Sequence, residues 1–105
     1  MRPGRSTQVQ SLDSAQESLI ARARRLRAKG ETRKALVAFR EACLRDDMDA
    51  ALWTSYGALL ASTARRDDAA VAFSHAIWLR RRSHDDLRAH STQTLLDRLS
   101  LPTAA

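Results

Sequence analysis

The stretch Trp53–Ile77, WTSYGALLASTARRDDAAVAFSHAI, decides the reading of this chain. Apolar and small residues recur at helical spacing on both sides of a short polar break, which predicts two amphipathic helices joined by a turn. The first carries Trp53, Tyr56, Gly57 and Leu60; the second carries Ala69, Phe73, Ala76 and Ile77. Moving back 34 positions uncovers a fainter copy in Leu19, Ala23, Leu26, Ala35, Phe39, Ala42 and Cys43. Self-similarity at one fixed offset is the mark of a repeat architecture, in which each helix pair buries its apolar face on a neighbour. Small residues at Ala23/Gly57, Ala35/Ala69 and Ala42/Ala76 would let paired helices approach closely. Large ones at Leu19/Trp53, Leu26/Leu60 and Phe39/Phe73 would fill the space between successive units.

The pattern Trp53-x2-Tyr56-Gly57-x2-Leu60…Ala69-x3-Phe73 resembles the tetratricopeptide family, with Tyr and Leu exchanged. The resemblance covers residues 16–83 and is stronger in the second repeat. It implies an all-α helix-turn-helix solenoid of about five helices, with repeats at 16–49 and 50–83 and a capping helix at 84–99. Two features depart from the family. Asp47 and Arg81 stand where it has a proline, and Arg22 stands where it has an apolar residue.

Composition agrees with a small helical domain. The chain has 105 residues, 44% of them hydrophobic, with only 3 Gly and 2 Pro; its bias to Ala and Leu favours helix. The net charge of +6 is concentrated at one end. Arg2, Arg5, Arg22, Arg24, Arg25, Arg27, Lys29, Arg33 and Lys34 face only Asp13, Glu17 and Glu31 within residues 1–34, and the rest of the chain is balanced. Such a patch can steer an acidic partner or serve as a solvated face. The single Cys43 excludes an internal disulfide and falls on an apolar helix face, as a buried structural thiol would. The polar N-terminus lacks the apolar core of a secretory signal, and no apolar run is long enough to cross a membrane. The expectation is a cytoplasmic protein, and the arginine-over-lysine bias suggests a bacterial one.

Local signals set the expected boundaries. Residues 1–12 are polar and read as a disordered arm ahead of a helical domain at 13–101. Ser14-x-x-Glu17 fits a capping box and predicts a helix start, and Gly30 supplies its C-cap. A second helix is expected over 32–45, a third over 48–63, a fourth over 67–81 and a fifth over 84–99. Asp46, Asp47 and Asp49 would cap the third helix, and Arg80, Arg81 and Arg82 would complement the dipole at the end of the fourth. Ser83-x-x-Asp86 suggests the fifth start. On the fifth helix Leu87 matches a core position of the repeat, and Leu95 and Leu99 follow it.

No Gly-rich phosphate loop, nucleophile elbow or paired-carboxylate motif is present, and His75, His84 and His90 lack metal-ligand spacing. No catalytic residue, cofactor or metal is expected. The family resemblance implies that the inner helices line a groove. Glu17, Ile20, Arg24 and Arg27 hold those positions in the first repeat. Ala51, Thr54, Ala58, Ala61 and Ser62 hold them in the second, and Asp85, Arg88 and Thr92 would continue them. The resulting expectation is a protein–protein adaptor whose groove is basic at one end and binds a peptide or helix with an acidic segment. Arg24 and Arg27 would matter more than Arg22 and Arg25. The family's terminal-carboxylate clamp is not expected, because Ile20, Arg24, Ser55, Asp85 and Ala89 occupy its positions. The rival expectation is a basic helical nucleic-acid-binding protein using Arg22, Arg24, Arg25, Arg27 and Lys29 on phosphates. Two repeats and a cap are also few for a stacked array, so self-association or marginal stability is expected. Trp78 is expected to pack under the fifth helix.

Overall fold

The computed structural model describes residues 3–100, with side chains from Ser14 onward. Five helices follow in order: α1 (Pro3–Ala28), α2 (Thr32–Arg45), α3 (Ala50–Ser62), α4 (Arg66–Arg82) and α5 (Asp86–Leu99). The described residues contain no strand. They fall into two compact units, α1 with α2 up to Asp46, and α3 to α5 from Asp47.

In the first unit α1 and α2 form an antiparallel helical hairpin. Gln16, early in α1, donates through Nε2 to the carbonyl of Ala42, late in α2, at 2.9 Å. Ala23, Ala35, Phe39, Ala42 and Cys43 are fully buried, while Leu19 and Leu26 are half-buried. The small residues let the backbones approach, and the Phe39 ring fills the space they leave. The N-terminal boundary differs from expectation. Helix α1 begins at Pro3, so Ser14 and Glu17 lie exposed inside it and do not form a capping box. Proline fits the first turn of a helix, where its missing N–H has no intrahelical partner to lose. Residues 3–12 of the expected arm belong to α1, and residues 1–2 lie outside the described part.

In the second unit α4 packs against both α3 and α5. Its core is Leu52, Gly57, Leu59 and Leu60 of α3 and Ala69, Ala72, Phe73, Ala76, Ile77 and Leu79 of α4, with Ala89 and Thr92 of α5. Gly57 lets α3 approach α4. A Cβ there would stand 2.7 Å from Phe73 Cδ1 and Cε1.

The three tight turns share one hydrogen-bond pattern. Glu31, Arg65 and Asp85 donate their N–H groups to the carbonyls of Leu26, Leu60 and Arg80. Gly30, Ala64 and His84 donate to those of Arg27, Ala61 and Arg81. This is the Schellman arrangement, which satisfies the last carbonyls of a helix by placing one residue in the left-handed region. That residue has φ of 78° in Gly30, 62° in Ala64 and 57° in His84. The first two turns stand 34 positions apart, as do the Ala35 and Ala69 N–H bonds to the carbonyls of Glu31 and Arg65.

Asp49 caps α3, accepting the Leu52 N–H at 3.0 Å. Helix α5 is capped by Asp85, which accepts the Arg88 N–H at 3.3 Å, and not by the expected Ser83, which ends α4. Asp85 also pairs with Arg80 at 3.3 Å, tying the end of α4 to the start of α5. Two side chains of this region are more exposed than expected. Leu87 is 80% exposed, and Trp78 is 49% exposed, with its ring stacked on His75 and covered by Arg82. The face α5 turns to α4 carries the small Ala89 and Thr92, so the close contact runs past both larger side chains.

Candidate functional site

Glu17, Ile20, Arg24 and Arg27 lie along one face of α1, because their spacings bring each within about one turn of the next. Ile20 is half-buried and the other three are exposed. The buried stripe Leu19–Ala23–Leu26 runs beside this face. Arg24 and Arg27 flank it on one side and Arg22 on the other, by the helical rotation of about 100° per residue. In the second unit Ala58 is exposed, and Thr54 and Ala61 are half-buried. The Thr54 hydroxyl is committed to the carbonyl of Ala50 at 2.8 Å. Arg88 is exposed and pairs with Asp85 at 3.4 Å. Thr92 does not continue a binding surface: it is buried, and its hydroxyl donates to the carbonyl of Arg88 at 2.9 Å.

The structure shows a groove that sequence spacing alone did not reveal. It lies between α1 and α2, has a volume of about 250 Å³, and is lined by Leu19, Arg22, Arg33, Lys34, Val37, Ala38 and Glu41. Leu19, Val37 and Ala38 make it apolar, and three cations stand around them. Val37 is 67% exposed despite its β-branched apolar side chain. Among the described residues, the ion pairs are Arg65–Asp68, Arg80–Asp85 and Arg88–Asp85. None of them uses Arg22, Arg24, Arg25, Arg27, Arg33 or Lys34. A second cavity of about 270 Å³ lies in the other unit, lined by Met48, Ala50, Leu79, Arg80, Arg82, Ser83 and Asp85. There Arg80 Nη1 pairs with Asp85 at 3.3 Å, while the buried Arg80 Nε has no hydrogen-bond partner.

Aromatic residues gather in the second unit. The Trp53 indole N–H donates to the carbonyl of Asp47 at 3.0 Å, and His75 Nε2 lies 2.9 Å from the same oxygen. A carbonyl only accepts, so Nε2 carries the proton in that contact. The His75 ring meets Trp53 edge-on at 4.7 Å and stacks on Trp78 at 5.8 Å. The Arg82 guanidinium covers Trp78 at 4.6 Å, a cation–π contact. His75 is thus engaged by carbonyl and rings, and no group of His, Cys, Asp and Glu among the described residues could hold a metal. Val71, His75, Trp78 and Arg82 form one stripe of α4, and Val37, Glu41 and Leu44 form the corresponding stripe of α2, 34 positions earlier. Val37, Leu44, Val71 and Trp78 are all exposed. No described helix is long and apolar enough to cross a membrane.

No protein-family model, curated protein or solved structure matches this chain.

Proposed function

We propose that this protein is a non-catalytic adaptor built on a tetratricopeptide-like pair of helical repeats, and that it binds another protein through an acidic segment. The observation that carries the reading is the surface of the first unit. Exposed arginines and Lys34 stand without an ion-pair partner among the described residues, beside an apolar groove. Unpaired cations around apolar surface suit a partner that brings both carboxylates and an apolar contact. The repetition of turn hydrogen bonds at 34 positions supports the repeat reading.

Nucleic-acid binding would use the same cations on phosphates. The first unit offers little for bases, since its one aromatic, Phe39, is fully buried. A fluorescence titration separates the two readings. The full chain is titrated against a labelled glutamate-rich peptide containing leucine and, in parallel, against random-sequence single-stranded oligonucleotides at several salt concentrations. The adaptor reading expects saturable peptide binding. Oligonucleotide binding with a steep salt dependence, and none to the peptide, would replace it.

A further inference from the structure

We propose that the groove formed by Leu19, Arg22, Arg33, Lys34, Val37 and Glu41 is a docking site for a partner segment carrying one large apolar side chain flanked by carboxylates. This rests on the adaptor reading and gives it a place and a partner chemistry.

Size is the first argument. Small-molecule sites usually run from about 300 to 1,000 Å³ and enclose most of the ligand. At about 250 Å³ the groove suits a single inserted side chain, the anchor of a peptide that otherwise lies on the surface. The apolar character of the wall is the second. Val37 leaves two-thirds of its surface in water although it sits next to the buried Ala38 and Phe39. An inserted leucine or phenylalanine would cover Val37 and Leu19 together, removing apolar area from both partners.

Charge fixes the flanking residues and their direction. Arg33 and Lys34 stand in the first turn of α2, where the positive end of the helix dipole adds to their own charge. Arg22 stands on the α1 wall. Glu41 lies seven residues beyond Lys34, roughly 10 Å further along the helix axis. The groove is therefore cationic toward the start of α2 and anionic at its other end. A bound segment would direct its carboxylates to Arg33, Lys34 and Arg22, and would carry a neutral or basic residue near Glu41. Arg24 and Arg27 lie on the opposite flank of α1, so they supply an internal control.

The test uses the full chain and three labelled peptides: one with a leucine flanked by glutamates, one with that leucine replaced by serine, and one with the glutamates replaced by lysines. The first peptide is expected to bind. Affinity should drop on the order of tenfold or more in Arg33→Glu/Lys34→Glu, from the summed loss of several surface charge contacts. It should drop in Val37→Ser and rise in Glu41→Gln, while Arg24→Glu/Arg27→Glu should change it much less. The serine and lysine peptides should bind weakly. Val37 and the charged positions are exposed or at the rim, and unchanged circular dichroism confirms that each variant is folded. Equal binding of the serine peptide would overturn the anchor. Loss in Arg24→Glu/Arg27→Glu with none in Arg33→Glu/Lys34→Glu would overturn the groove and leave the adaptor reading standing. Binding of random oligonucleotides in place of every peptide would overturn both.

Discussion

Gly57→Ala should destabilise the second unit, although alanine is the better helix former. In α3 the new Cβ would stand 2.7 Å from Phe73 Cδ1 and Cε1 and 3.3 Å from Ala72 Cβ. Carbon atoms prefer about 3.5–4.0 Å, so the ring would have to retreat by about 1 Å. Phe73 is 2% exposed, so its ring cannot swing out to solvent without leaving the core, and the shift falls on its packing or on the α3–α4 spacing. Overpacking of this kind costs about 1–3 kcal/mol. Against it stands the gain from removing a glycine from a helix interior, about 0.8–1.0 kcal/mol. With two ring atoms in conflict the steric cost wins, and the expected net loss is about 1–2 kcal/mol. For a domain of about 60–100 residues, each kcal/mol lowers the melting temperature by about 4–8 °C. Thermal melts followed by far-ultraviolet circular dichroism would read this directly. Phe73→Leu removes the ring atoms in question, so Gly57→Ala should cost less in that background than in the wild type, which is the coupling a double-mutant cycle measures. If Gly57→Ala melts at or above the wild-type temperature, the helices are not as close as described and the reasoning fails.

Ala64→Gly and His84→Gly should each stabilise the chain by about 1 kcal/mol, because both residues hold the left-handed conformation that glycine adopts freely; Gly30→Ala should lose a similar amount, and melting of the three variants would check the pattern. Phe73→Ala should cost about 3–5 kcal/mol through the cavity it leaves, and unchanged urea unfolding would contradict its place in the core. Trp78→Ala should cost less than Phe73→Ala, since Trp78 already stands 49% exposed and loses its stacking on His75 and its contact with Arg82. Sedimentation over a hundredfold concentration range would show whether its exposed face joins copies: a dimer split by Trp78→Ala marks an interface, whereas a large drop in the melting temperature of a monomer would contradict its exposure.

Much of the helical framework was legible along the chain because its signals are local. Gly30 ends α1, and α2 spans Thr32–Arg45 as the spacing of Ala35, Phe39 and Ala42 predicts. The small-residue positions marked Gly57 as a point of close helix approach, which the structure places against Phe73 within the same helix pair and not between units, and Asp49 caps α3 through its own backbone segment. Each of these depends on residues a few positions apart, or on a period of 34 that repeats the same neighbourhood. The faces left over depend on what packs from far along the chain. Leu87 carries a core-type side chain 34 positions after Trp53, yet α5 buries Ala89 and Thr92 and leaves Leu87 in water. Trp78 reads like a side chain packed under the fifth helix and stands half-exposed, stacked on His75. Arg22 and Arg24 are the same residue two positions apart on one helix. The antiparallel packing of α2 against one flank of α1 puts Arg22 on a groove with Val37 and Lys34 and leaves Arg24 outside it. A helical period tells which residues share a face; which faces meet is settled by long-range packing, because burial belongs to pairs of elements and not to either one alone.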